Sequence, residues 1–354
     1  MPAITELLHT DLPLLQAPMA GVQGSRLAVA VCEAGALGAL PCALLSPSAM
    51  REEIAAIRAG TDRPYNVNFF CHAPPPPQPE REAAWRARLL AEYRTAGIDP
   101  ASVPRGPGRR PFDATDLALL LDWKPPVVSF HFGLPAEELL APLRGYGCAI
   151  LSSATTVEEA RWLETRGVDA VVAQGLEAGG HRGHFLADDL TRQMGTFALL
   201  PQIAAAVRVP VIAAGGIADA RGVAAAMALG AAGVQVGTAW LLCPEADTSA
   251  LHRAALASAA ACHTALTNVF TGRPARGIVN RAMREYGPID PDIPDFPLAT
   301  AACAPLRRAT EARGGDDWTP LWAGQSAGGC REIPAAELVR RLAAGFAYGA
   351  APVL

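Results

Sequence analysis

The chain has 354 residues, 51% of them hydrophobic, enough to bury one large core as a single big domain or as two ordinary ones. Charged side chains make up 18%, with 30 basic against 34 acidic groups and a net charge of −4, which excludes the basic face of a nucleic-acid binder. The most apolar window, 199–214, is broken by Pro201, Gln202, Arg208 and Pro210, so no membrane span is expected, and residues 1–6 lack the basic-then-apolar order of a leader. Eight cysteines without a CxxC pair or zinc-finger spacing predict small buried hydrophobes in a reducing, cytoplasmic compartment, and no metal site.

From the N-terminus, short apolar runs at 12–17, 36–40, 65–69, 127–130, 149–153, 170–174, 211–214 and 233–236 alternate with helical stretches such as 25–33, 156–166, 197–207 and 218–229. Thr156, followed three residues later by Glu159, predicts a capping box. Runs that are continuously apolar belong to a parallel sheet covered on both faces, and eight of them are the number that closes a (β/α)8 TIM-type barrel. Two segments exceed the minimal barrel. Residues 72–112 form an insertion whose middle, 80–95, predicts one exposed charged helix. Beyond Cys243 come a helical stretch at 248–266, a Pro-rich run to Pro305, and 318–329. The expected organisation is a barrel over 1–245, an irregular C-terminal lid over its mouth at 246–330, and a C-terminal helix at 331–354.

In such barrels the chemistry sits where the strands end. Here the strand bodies are apolar, while glycine and polar residues gather just after them. Gly215-Gly216 and Gly237-Thr238 follow the last two runs, the usual phosphate position, where glycine N–H groups can approach phosphate oxygens and Thr238 can add a hydroxyl. No GxGxxG and no GxxxxGK[ST] is present, which disfavours a Rossmann site or a P-loop. His181 lies among Gly179, Gly180 and Gly183, and on spacing alone either acid–base work or a hydrogen bond holding the loop fits it. His131, between Phe130 and Phe132, is a second candidate for the site wall. His184 is expected to face solvent, and His9, His72, His252 and His263 to be structural or exposed. Glu177 is read as a structural hydrogen-bonding group and Arg182 as a surface or lid contact.

These residues resemble a known family. Gln16-Ala-Pro-Met-Ala-Gly-Val22, Asn66-Val-Asn68, Phe130-His-Phe-Gly133, Gln174-Gly-Leu-Glu-Ala-Gly-Gly-His-Arg-Gly183, Ala214-Gly-Gly-Ile-Ala-Asp219, Gln235-Val-Gly-Thr238 and Trp322-Ala-Gly-Gln325 look like the FMN-dependent nitronate monooxygenases, over nearly the whole chain. The resemblance implies a flavoprotein oxidoreductase that converts nitronates, or nitroalkanes, and oxygen to a carbonyl compound and nitrite; the sequence itself is compatible with a monomer or a homodimer. The resemblance implies that Met19, Asn68, Gln174, Gly179, Gly180 and Gln325 lie at the flavin, and that Gly215, Gly216, Gln235, Val236, Gly237 and Thr238 hold the FMN phosphate. It implies a catalytic His181, with His131 helping to bind the nitro group. Relatives often carry tyrosines and a lysine in the lid where this chain has Phe296, Thr300 and Arg307. An FMN-dependent NAD(P)H reductase of enoyl thioesters or quinones is the alternative, because the same barrel superfamily shares the Gly-Gly-His block.

Overall fold

Each of the eight apolar runs becomes a strand, because a strand covered on both faces must be apolar at successive positions. The computed structural model describes residues 3–106 and 108–348. Its barrel strands are β1 (Leu14–Gln16), β2 (Gly38–Pro41), β3 (Tyr65–Phe70), β4 (Val127–His131), β5 (Ala149–Ala154), β6 (Ala170–Gln174), β8 (Val211–Ala214) and β9 (Gly233–Val236). A further strand, β7 (Gly180–His181), follows β6 and joins β10 (Thr264–Thr267) and β11 (Ala275–Ile278) in a separate antiparallel sheet. The barrel strands pair in parallel in the order β1-β9-β8-β6-β5-β4-β3-β2. The ring closes between β1 and β2, where Gln16 N–H donates to Leu37 O and Leu37 N–H to Leu14 O, both at 2.9 Å. This is a (β/α)8 barrel.

Leu15, Leu37, Leu151, Val172 and Ile212 fill its interior, sealed below by Ile4 and Leu8 of the short helix Ile4–Leu8. Helices such as Ser25–Glu33, Val157–Thr165, Thr196–Ala206 and Ala220–Ala228 cover the outside. Helix Ala335–Tyr348 packs on Ala220–Ala228 and Ser25–Glu33, filling the gap between the last strand and the first. The lid is therefore spliced in between the final strand and the final helix. Register then aligns the strand ends: Gln174 stands level with Ala214, Ala214 with Gln235, Asn68 with Ser129, and Phe70 with His131. Among the described residues no helix is long and apolar enough to cross a membrane.

Local expectations fare unevenly. The capping box at Thr156 is half formed: Thr156 Oγ1 accepts from Glu159 N, but the Glu159 carboxylate turns instead to Thr155 and to the Phe185 N–H. The helix expected over 248–266 ends at Ala257, and the chain turns through Ser258 into β10. Residues 80–95 form two helices, Pro79–Arg88 and Leu90–Ala96, and are not fully exposed. Trp85, Leu89 and Tyr93 repeat at a spacing of four and are buried against Met283, Cys303, Leu306 and Trp318 of the lid. The arginines also contribute to docking: Arg81 donates to Pro291 O and Ile293 O at 2.7 and 2.6 Å, and Arg88 pairs with Asp290 at 2.7 Å. Insertion and lid thus share a second hydrophobic core.

Candidate active site

The carboxyl ends of the barrel strands and the underside of the lid enclose an open-mouthed cavity of about 350 Å³. At one end lie Gly215, Gly216, Gln235, Gly237 and Thr238. Gly215 and Gly216 adopt φ of 111° and 76°, left-handed values that favour glycine, and a Cβ on Gly215 would sit 2.9 Å from Ala178 N. Thr238 Oγ1 accepts from Gly324 N at 2.9 Å, which leaves its own proton free to donate into the cavity. Met19, Asn68, Gln174, Gly179 and Gly180 line the middle, and His131, His181, Phe70, Thr271 and Trp322 the far wall. Two expected contacts fall elsewhere. Val236 is buried in its strand, its carbonyl accepting from Ala17 N and Trp240 Nε1, and Gln325 is exposed, while its neighbours Gly324 and Ser326 reach the cavity.

His181 is held on every side. The ladder between β7 and β11 places it opposite Ala275, so this loop is stitched to the lid. Its carbonyl accepts from Gln174 Nε2 at 3.0 Å and from His131 Nε2 at 3.1 Å. A carbonyl can only accept, so His131 carries its proton on Nε2, and its Nδ1 accepts from Ser153 Oγ at 2.6 Å. His131 thus holds the His181 carbonyl through Nε2 while Ser153 fixes its ring through Nδ1. The Gln174 amide is fixed as well, its Oε1 accepting from Gly183 N at 2.8 Å. Gly183 is required by close approach, since a Cβ there would lie 2.7 Å from His131 Cε1. His181 Nε2 bonds Thr271 Oγ1 at 3.0 Å, whereas its Nδ1 meets no protein partner among the described residues.

Arg182 is fully buried, not at the surface, and touches the lid through its backbone, its N–H donating to Pro274 O at 2.8 Å; its guanidinium donates to Gly175 O at 2.6 Å, Gln174 O at 2.7 Å and Gln193 Oε1 at 2.7 Å. It ties the end of β6 to the loop behind His181. His184, expected in solvent, is buried as well, and its carbonyl accepts from Arg273, which also donates from Nε to Arg182 O at 3.2 Å. Glu177 has the structural part expected of it, taking the Thr196 N–H and hydroxyl at 2.8 and 2.9 Å.

The far wall is aromatic and basic. Ring centroids of Phe296, Trp322, Phe132 and Phe70 lie 5.4, 5.5, 6.1 and 6.2 Å from that of His181. Phe132 reaches this wall from a left-handed φ of 71°, uncommon for a bulky residue, with the Arg273 guanidinium 4.1 Å over its ring. Burial pushes the His181 imidazole well below its usual range, and the charges of Arg109, His131, Arg273 and His72 push the same way. Burial likewise brings His131 down to about 3 and His72 to about 4. At neutral pH His181 is uncharged, with one free nitrogen beside an aromatic wall. Arg109, Thr271, Ser153 and Phe70 complete this wall and had no motif to announce them; they come from the insertion, the lid and strand interiors.

This fold and site define a (β/α)8 barrel with a glycine-lined cleft and a buried histidine at its mouth. A family model described as nitronate monooxygenase matches residues 1–345. A nitronate monooxygenase of Pseudomonas aeruginosa is 44% identical over 340 residues, covering 96% of this chain and 97% of its own length. The solved nitroalkane oxidase of Streptomyces ansochromogenes superposes with a TM-score of 0.88 at 41% identity, covering 98% of this chain and 99% of that one. FabK from Thermotoga maritima is more distant, with a TM-score of 0.72 at 27% identity over 98% of this chain and 95% of that one. The chain belongs to the nitronate monooxygenase family.

Proposed function

We propose that this chain oxidises nitronates, and nitroalkanes by way of their nitronates, with molecular oxygen to a carbonyl compound and nitrite, using FMN held in the cavity. The observation that carries the reading is one continuous cavity joining a set of uncharged donors, at Gly215, Gly216 and Thr238, to the free Nδ1 of His181 in an aromatic wall. The donor set fits a flavin phosphate: left-handed glycines without side chains and a hydroxyl whose proton is free. Gln235 and Gly237 would complete that end. Met19, Asn68, Gly179 and Gly180 would flank the ring system, and Asn68 has the better-oriented amide because its Nδ2 is fixed to Ser129 O at 3.1 Å and to Ser129 Oγ at 2.9 Å. Bound there, FMN supplies an electron acceptor for the substrate and a donor to oxygen.

The protein's own work is positioning and proton transfer. His181 Nδ1 accepts the α-proton of a nitroalkane, while Thr271 fixes the opposite ring edge and Gln174 and His131 fix its carbonyl. Phe70, Phe132, Phe296 and Trp322 exclude water from the base. The test is an anaerobic absorbance spectrum of the purified protein before and after ethylnitronate, and separately after NADPH. Bleaching of a bound flavin by ethylnitronate alone is expected. Bleaching by NADPH alone would assign a reductase, and a colourless protein that takes up no FMN would remove both readings.

A further inference from the structure

An anion entering this cavity needs a cation to meet it, and His181 carries no charge to offer. The cavity's acidic side chains do not balance its bases either: Glu177 is committed to Thr196 and Asp247 pairs with Arg26 at 3.1 Å. Of the guanidiniums near the far wall, Arg273 spends its donors on the carbonyls of Arg182 and His184, and Arg307 pairs with Glu311 at 2.7 Å. Arg109 differs from both. It lines the main cavity and an adjoining one of about 440 Å³, standing where the two meet beside Leu44 and Phe70. Its guanidinium lies 5.6 Å from the centre of the Phe296 ring, which is itself 5.4 Å from His181. Among the described residues it makes no ion pair and no hydrogen bond.

We propose that Arg109 is the anion-binding residue of this site, its guanidinium fork meeting the two nitro oxygens of a nitronate and so selecting the anion over the neutral nitroalkane. The geometry suits it: the nitronate O–N–O is planar like a carboxylate, and a guanidinium presents two parallel N–H donors to such a pair of oxygens. Arg109 is half-buried at the cavity wall, and burial draws it down to about 10, so it remains cationic at neutral pH and is partly desolvated where an anion would arrive. Division of labour follows. His181 moves a proton, and Arg109 holds the charge.

This proposal rests on the nitronate reading, but it has a readout of its own. Nitrate is a planar, unreactive mimic of the nitronate group, and its binding to the FMN-loaded protein can be measured by titration calorimetry. Arg109→Met should weaken nitrate binding by about 10-fold or more and lower kcat/KM for ethylnitronate by about 10- to 100-fold, the range for losing a charged hydrogen-bond partner. Arg109→Lys should recover part of both, since it restores the charge without the fork. Arg307→Met, already paired in the native protein, should stay within about 3-fold of wild type. If Arg109→Met binds nitrate as tightly as wild type and only lowers the melting temperature, the residue merely packs on Phe296 and the proposal falls, with the nitronate reading untouched. If wild type fails to oxidise ethylnitronate but still binds nitrate in an Arg109-dependent way, the anion site stands and the activity assignment falls.

Discussion

At the residue scale, His181 and its supports have different parts. Its Nδ1 is free, whereas His131 binds the loop through Nε2 and Ser153 through Nδ1, and both polar atoms of the Gln174 amide bind the loop. His181→Asn should therefore keep the cofactor but lower turnover by about 10²-fold or more, as loss of an acid–base group implies. Flavin content and kcat, measured on the same preparation, check this, and full activity would end the assignment. Burial holds His181 well below the ordinary imidazole value of 6.5, so its basic form persists as pH falls past that value. Accordingly, the acid limb of kcat/KM for a neutral nitroalkane should lie below pH 6.5. His181 and His131 were legible because glycines and aromatics crowd them at strand ends. Arg182 and His184 were not: a buried arginine needs carbonyl acceptors, and Gly175 and Gln174 become acceptors only once β6 turns back on itself.

At the scale of elements, the barrel was easier to read than its additions. A parallel strand buried on both faces writes itself as an apolar run, so all eight barrel strands could be placed to within a few residues. The insertion carries its apolar residues as a narrow stripe, Trp85, Leu89 and Tyr93, diluted by arginine and glutamate, and the surface that accepts the stripe lies some 200 residues onward at Met283 and Leu306. Its burial is a tertiary fact with no local signature. The dependence can be tested, because Trp85 is almost wholly buried between insertion and lid. Trp85→Ala should cost about 3–5 kcal/mol of local packing, as large-to-small core changes do. Hydrogen exchange should then rise across residues 79–96 and 281–311 while β4, β5 and β6 stay protected. Loosening spread evenly through the barrel would show instead that insertion and lid do not form a separate packing unit.

Across the whole molecule, the feature with the widest consequence is the number of histidines folded away from water. Five of the seven, His72, His131, His181, His184 and His252, are buried or wall the cavity, and burial lowers every one of them. The values reach about 4 for His72 and His252 and about 3 for His131 and His184, where the exposed Asp188 carboxylate at 3.5 Å from His184 does not offset desolvation. In the unfolded chain each titrates near 6.5. Above that pH both states are neutral and the native stability is intact. Between 6.5 and the folded value, the unfolded chain takes up protons that the native protein refuses, so stability falls with falling pH by about 1.4 kcal/mol per unit for each group. Summed over several groups, that slope is steep against the roughly 5–15 kcal/mol that holds a typical domain. Acid unfolding should thus begin just below pH 6.5 and be far advanced by about pH 5, before most carboxylates protonate. Denaturant titrations at half-unit steps from pH 8 to 5 measure it, and His72→Asn and His252→Asn, each removing one refused proton, should make the slope shallower. A stability that is flat between pH 6.5 and 5 would mean that these histidines accept protons in place, and that the wall around His181 is wetter than its aromatic packing implies.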